Sequence, residues 1–255
     1  MHLVAPAIVL AARWHGEHGA VVRALTERDG MRPGYLRGGR SRRIGPVIQP
    51  GNAVIAEWRA RTDEQLPALI VEPVHSRAAL FVQPLPAAAI EWVCALTAAA
   101  LPEAQPYPAL YAGLGGVLDA IEAAPTARGW ASSLARYELL LLAELGFGLD
   151  LTACIVTGVV DDLGFVSPRS GGAVSRSAAA GYEERLFALP TFLRDGGAAG
   201  WAEVIAALRI TGHFLARDVL TDRRAAPLAA RERLVERLRQ AGGPTSGRVA
   251  GQAGG

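Results

Sequence analysis

Contact with phosphate is the chemistry most plainly offered by this 255-residue chain. Residues 33–52, PGYLRGGRSRRIGPVIQPGN, hold Arg37, Arg40, Arg42 and Arg43 and no acid, and Arg28 and Arg32 stand just before them. Like charges this close repel one another, so the arrangement favours a fold only when an anion neutralises it and counterions are released. Gly38, Gly39 and Gly45 allow backbone amides close to a phosphate chain. Trp14, Tyr35 and Trp58 are the aromatic surfaces on which bases would stack. Arg59 and Arg61 share one side of a predicted strand, and Arg169 stands at the tip of SPRSGG; all three join the candidate nucleic-acid contacts. The chain has no lysine. Every basic side chain except histidine is therefore a planar fork suited to phosphate and to stacking.

Other clusters carry less. Cys154 and Thr157 are three apart, Ser175 and Ala178 are three apart, and 17 residues separate the two pairs. Four cysteines at this spacing would make a zinc ribbon. Here two hydroxyls and a methyl replace three thiolates, so no zinc is expected, only a hairpin held by packing and hydrogen bonds. His15, Glu17 and His18 resemble a metal pair without further ligands, and a loop is the favoured reading. Asp161 and Asp162 are adjacent rather than on one face, which suits a solvated turn. No phosphate-binding P-loop and no nucleophile elbow is present, so no catalytic residue, cofactor or metal is assigned and the chain is not expected to be an enzyme. In LRITGHFLARDVL, Arg209, His213 and Arg217 recur at intervals of four and form one stripe. Leu208, Gly212 and Leu215 lie beside it, with Ile205 and Val219.

The elements that must position these residues fall into two groups. Five short strand patterns, 7–14, 19–27, 31–39, 52–61 and 67–74, are separated by Gly, Asp-Gly or Pro-Gly breaks. In the fourth, Val54, Ala56, Trp58 and Ala60 share one side, and Ile55, Glu57, Arg59 and Arg61 the other. Five strands in this length predict a small antiparallel barrel, most commonly an oligonucleotide-binding (OB) fold. After residue 80 the period becomes helical, with helices predicted over 86–101, 107–124, 131–147, about 199–220 and 227–239, and a polar hairpin over 164–175. The fold class is thus α+β: an OB barrel over 1–80, then an all-helical domain over 81–241 with a zinc-less hairpin insertion at 150–180, and a disordered tail over 242–255. Residues 1–77 carry eleven arginines against seven acids, and the remainder fifteen against seventeen, so the basic character belongs to the barrel. Cys94 and Cys154 suggest no disulfide framework, which fits a reducing cytoplasm. LVAPAIVLAA runs straight into Arg13 and reads as a first strand rather than a signal, and no apolar run is long enough to span a bilayer.

Taken together, AIVLAARWHGEHGAVVRALTERDG, LRGGRSRR with VIQPGN, YELLLLAELGFGLDLTACIVTG with GFVSPRSGGAVS, and LRITGHFLARDVL resemble the RecO family of bacterial recombination-mediator DNA repair proteins, over residues 5–240. The resemblance implies an OB barrel followed by a helical domain that in many members carries a four-cysteine zinc hairpin. Only Cys154 matches that set, so zinc is not carried over. It further implies binding to single- and double-stranded DNA and annealing of complementary strands. The implied partners are RecR and the C-terminal tail of single-strand DNA-binding protein, engaged to help load the recombinase in the nucleoid. The stripe of Leu208, Arg209, Gly212, His213 and Arg217 offers cations and an apolar slot for such an acidic tail. An RNA-binding OB factor of translation or ribosome assembly, or a pure interaction scaffold, is the competing reading of the same arginines.

Overall fold

The computed structural model describes residues 1–62, 65–124 and 126–242. The tail expected to be disordered lies outside the described residues, apart from Gly242.

The first 75 residues form five strands: β1 (His2–His15), β2 (Gly19–Thr26), β3 (Gly30–Arg37), β4 (Ala53–Arg59) and β5 (Ala68–His75). They close into a barrel in the order β1-β2-β3-β5-β4. β1 begins well before the predicted residue 7 because it serves two neighbours. Its first half pairs with β4, from His2↔Arg59 to Ile8↔Ala53, and its second half with β2, ending at His15↔Gly19. Closure rests on a short parallel seam between β3 and β5, Tyr35↔Ala68 and Leu36↔Leu69. Alternation points Val9, Val22, Val54, Leu69 and Val71 inward around Trp58, which has no exposed surface. Alanines at 7, 20, 24 and 56 leave room for that indole in a five-stranded barrel.

The opposite side of β1–β3 presents Ile8, Leu10, Leu25 and Met31 to the helical core. At about 1.5–3 kcal/mol per large side chain, these four fasten the barrel more firmly than the exposed ion pair Arg23–Glu103 can. Five longer helices follow: α1 (Pro84–Ala100), α2 (Pro108–Ala123), α3 (Ala127–Glu144), α6 (Trp201–Phe214) and α7 (Leu228–Gly242). Pro84 and Pro108 begin the first two, where a missing N–H costs nothing. α6 continues through a wider turn, Leu215–Val219, in which the Leu220 amide reaches back to the Leu215 carbonyl.

Between α3 and α6 the chain departs from the expected all-helical plan. The hairpin is present as β7 (Leu163–Val166) and β8 (Gly172–Ser175), but it belongs to a four-stranded sheet ordered β6-β8-β7-β9. β6 (Asp150–Cys154) lies parallel to β8, and β9 (Phe187–Ala188) antiparallel to β7. Two short helices, α4 (Arg176–Ala179) and α5 (Thr191–Asp195), complete the segment. Strands of five and two residues are too short for alternation to reveal them.

Candidate nucleic-acid interface

The arginine loop is a chain of turns pinned at its far end. Ser41 N–H bonds to the Gly38 carbonyl and Gly45 N–H to that of Ser41, each at 2.9 Å. Ile48, 2% exposed, packs into the barrel core with Ile44 and Val47 against it. The Asn52 amide donates to the Pro46 and Val47 carbonyls, and its Oδ1 accepts the Arg77 backbone N–H at 2.8 Å. The buried Arg77 guanidinium donates to the Gly51 carbonyl at 2.6 Å and pairs with Asp119 of α2, so the loop's base is anchored to the helical half. With its ends fixed, the loop presents Arg40, Arg42 and Arg43 to solvent, next to exposed Arg37. Gly39 comes so close to β2 that a Cβ there would stand 2.8 Å from that of Ala20.

Trp14, 53% exposed, is the aromatic that this loop meets: Arg40 lies over its ring, 5.6 Å from the centroid. Tyr35 is half-buried, lying over Gly19 and edge-on to His15. Trp58 is not a stacking surface. One strand's alternation cannot say which side faces inward, and the barrel closes around the side bearing Trp58.

Register adds cations that the reading of single strands missed. Arg13 falls in one row with Val21 and Tyr35, His15 in one with Gly19 and Arg37, and Arg23 beside Pro33, all on the outer face of β1–β3. Arg13 is exposed; Arg23 reaches the Ala98 carbonyl and Glu103. The alternation of β1 and β2 contained this signal, but only pairing of the strands brings the side chains into rows.

The remaining arginines do not join this rim. Arg28, exposed, lies in the β2–β3 turn, at the opposite end of that hairpin from Arg37. Arg32 is half-buried, its Nε donating to the Asp29 carbonyl. Arg59, beside His2 at the start of β1, is paired with Glu57. The His2 and Arg59 hydrogen bonds hold the Glu57 carboxyl below the usual carboxylate range. Arg61 is exposed just beyond β4, and Arg169 is exposed on the β7–β8 turn in the helical half.

Residues 1–77 match the family described as Recombination protein O N terminal, and residues 85–225 that described as Recombination protein O C terminal. The chain belongs to the RecO family. A DNA repair protein RecO of Cereibacter sphaeroides is 44% identical over 234 residues, 91% of this chain and 96% of its own length. One of Rhodospirillum centenum is 46% identical over 238 residues, 92% and 94% of the two chains. A third, of Xanthobacter autotrophicus, is 47% identical over 217 residues, 85% and 88%.

Two features implied by RecO resemblance can now be set against geometry. The zinc hairpin has its turns but not its donors: Cys154, Thr157, Ser175 and Ala178 offer zinc a single thiolate, and this donor set does not fit the metal. Hydrogen bonds occupy the place instead. Ser175 N–H donates to Cys154 Sγ at 3.3 Å, and the Ser175 hydroxyl accepts from Ala178 N–H, capping α4. Burial pushes the Cys154 thiol up, yet the Thr157 hydroxyl and the Ser175 amide and hydroxyl together bring it down to about 6. His15, Glu17 and His18 are all exposed, and no metal-binding group of three ligands forms among the described residues.

On α6 the stripe of Arg209, His213 and Arg217 forms, but the apolar slot beside it does not. Leu208, Leu215 and Val219 are buried. Gly212 is filled from within, its missing Cβ replaced by the Arg231 guanidinium of α7. Arg217 donates to the Pro168 and Arg169 carbonyls at 2.7 and 2.9 Å and pairs with Asp218; His213 Nε2 is 3.0 Å from the Pro168 carbonyl. These two side chains brace the β7–β8 turn. Arg209 stays exposed over the Phe187 ring, 5.3 Å from its centroid. Among the described residues no helix is long and apolar enough to cross a membrane.

Proposed function

We propose that this chain is a recombination mediator in bacterial DNA repair. The barrel, residues 1–80, binds single- and double-stranded DNA by its phosphates and brings complementary strands together. The helical part, residues 81–241, engages RecR and the acidic tail of single-strand DNA-binding protein to help load the recombinase. The reading needs no covalent step and places the protein in the cytoplasm, at the nucleoid. The observation that supports it is the rim of Arg37, Arg40, Arg42 and Arg43 beside exposed Trp14 on a barrel of this family. Guanidinium groups without acid neighbours bind phosphate without reading sequence. Arg209 is the remaining open cation of the α6 stripe and the contact proposed for the partner tail. Purified protein should anneal complementary DNA strands and bind a peptide with the tail's acidic, apolar-ended chemistry. An RNA-binding factor or a bare scaffold would do neither, and failure of both assays overturns the reading.

A further inference from the structure

We propose that a single DNA strand runs from Trp14 along a trough between the barrel and α1 to Arg224, on the helical half of the molecule. This deepens the function proposed above and rests on its DNA binding. Two grooves adjoin here. One, of about 580 Å³, has Arg13, Trp14 and His15 on its wall. The other, of about 570 Å³, reaches Arg224 and Pro227. Both are lined by Ala11, Arg23, Ala98 and Glu103, so they adjoin, with Arg23 reaching from the barrel to the Ala98 carbonyl and Glu103 where they meet.

Charge along this trough is one-sided. Arg13, Arg23 and Arg224 line it against a single acid, Glu103, and Arg23 already holds that carboxylate at 2.9 Å. Arg13 and Arg224, both exposed, make no ion pair among the described residues and stand toward opposite ends. The upper end abuts Trp14, whose indole lies on the other side of β1 from Arg13 and His15, turned toward the arginine rim where Arg40 stands over it. A strand taking this path meets cations at both ends and an aromatic face at one.

The occupant is single-stranded because of Trp14. A base stacks on an exposed indole only when its own face is free, and a duplex hides those faces inside its stack. Duplex DNA would meet the rim arginines and pass over the trough.

The test compares the full-length protein with Trp14→Ala and Arg224→Ala, titrated with oligo(dT) and with a duplex over a range of salt. Trp14→Ala should lose about tenfold in oligo(dT) affinity and distinctly less in duplex affinity. Arg224→Ala should lower the single-strand salt slope by about 0.7, without effect on duplex. Of the other four indoles, Trp58, Trp92 and Trp130 are at most 1% exposed and Trp201 is half-buried on α6. Quenching of intrinsic fluorescence by oligo(dT) should therefore fall sharply in Trp14→Phe. Equal losses for strand and duplex, or wild-type binding by both variants, would overturn the trough. If Arg40, Arg42 and Arg43 changed to Ala weakens DNA binding while the trough variants behave as wild type, only the trough fails. If the wild-type protein binds no DNA, the functional reading fails with it.

Discussion

Arg231 and Glu138 are bonded twice, at 2.9 and 2.7 Å, with Glu138 wholly buried and Arg231 7% exposed. Glu138 also accepts from Trp92 Nε1 at 2.7 Å and from the Thr211 hydroxyl, and Arg231 donates to the Leu208 carbonyl. Side chains of α1, α3, α6 and α7 thus meet at one carboxylate. Arg231→Met should cost about 3–5 kcal/mol, because it strands a buried negative charge. The paired change Arg231→Met with Glu138→Leu should cost clearly less. Denaturant midpoints of the three proteins check this, and a double variant no better than the single one would refute it.

Changing Arg40, Arg42 and Arg43 together to alanine should weaken DNA binding in a salt-dependent way. Each lost phosphate contact should flatten the slope of log K against log salt by about 0.7 for single strands and 0.9 for duplex. The same three changes should leave thermal stability nearly unaltered, since all three side chains are exposed. An unchanged slope would remove the loop from the interface.

Arg209→Glu should abolish binding of the acidic tail peptide and leave DNA binding intact. Arg217→Glu is a poorer probe, because Arg217 also holds the Pro168 and Arg169 carbonyls and its loss would loosen the β7–β8 turn. Wild-type tail affinity in Arg209→Glu would put the docking site elsewhere on the helical half.

The two cysteines should titrate far apart. Burial pushes Cys94 up to about 12, whereas Cys154 comes down to about 6. Ultraviolet thiolate absorbance should show one group ionising near pH 6, and Cys154→Ala should remove it. Because the folded pKa lies below the ordinary thiol value of 9.0, ionised Cys154 stabilises the fold fully above that value. The contribution declines through the interval below it and is lost as pH falls through about 6. Elemental analysis should find no zinc; stoichiometric zinc, lost together with the fold on chelation, would overturn this account of the hairpin.

Much of the architecture was legible in the chain because it rests on local signals. Runs of valine, isoleucine and aromatics separated by Gly, Asp-Gly or Pro-Gly breaks marked all five barrel strands, and alanine- and leucine-rich runs between prolines and glycines marked the longer helices. The arginine loop was visible as composition alone. What escaped depends on pairing across distance. Trp58 turns inward, and Arg13 joins Tyr35, only once strands choose their neighbours. Gly212 looked like an opening beside the α6 stripe, and it is closed by Arg231, which arrives from the next long helix. The sheet around Cys154 was half-visible, since its hairpin carries turn residues while β6 and β9 are too brief to leave a pattern.

The rim of the barrel is built from guanidinium groups in a chain without lysine. Its positive charge therefore cannot be titrated away at any physiological pH, and acetyl transfer to amines has no target on it. A surface of that kind behaves as a fixed-voltage electrode toward nucleic acid. Its hold is set by dissolved ions and by competing polyanions, so release from DNA is a matter of displacement rather than of amine acetylation.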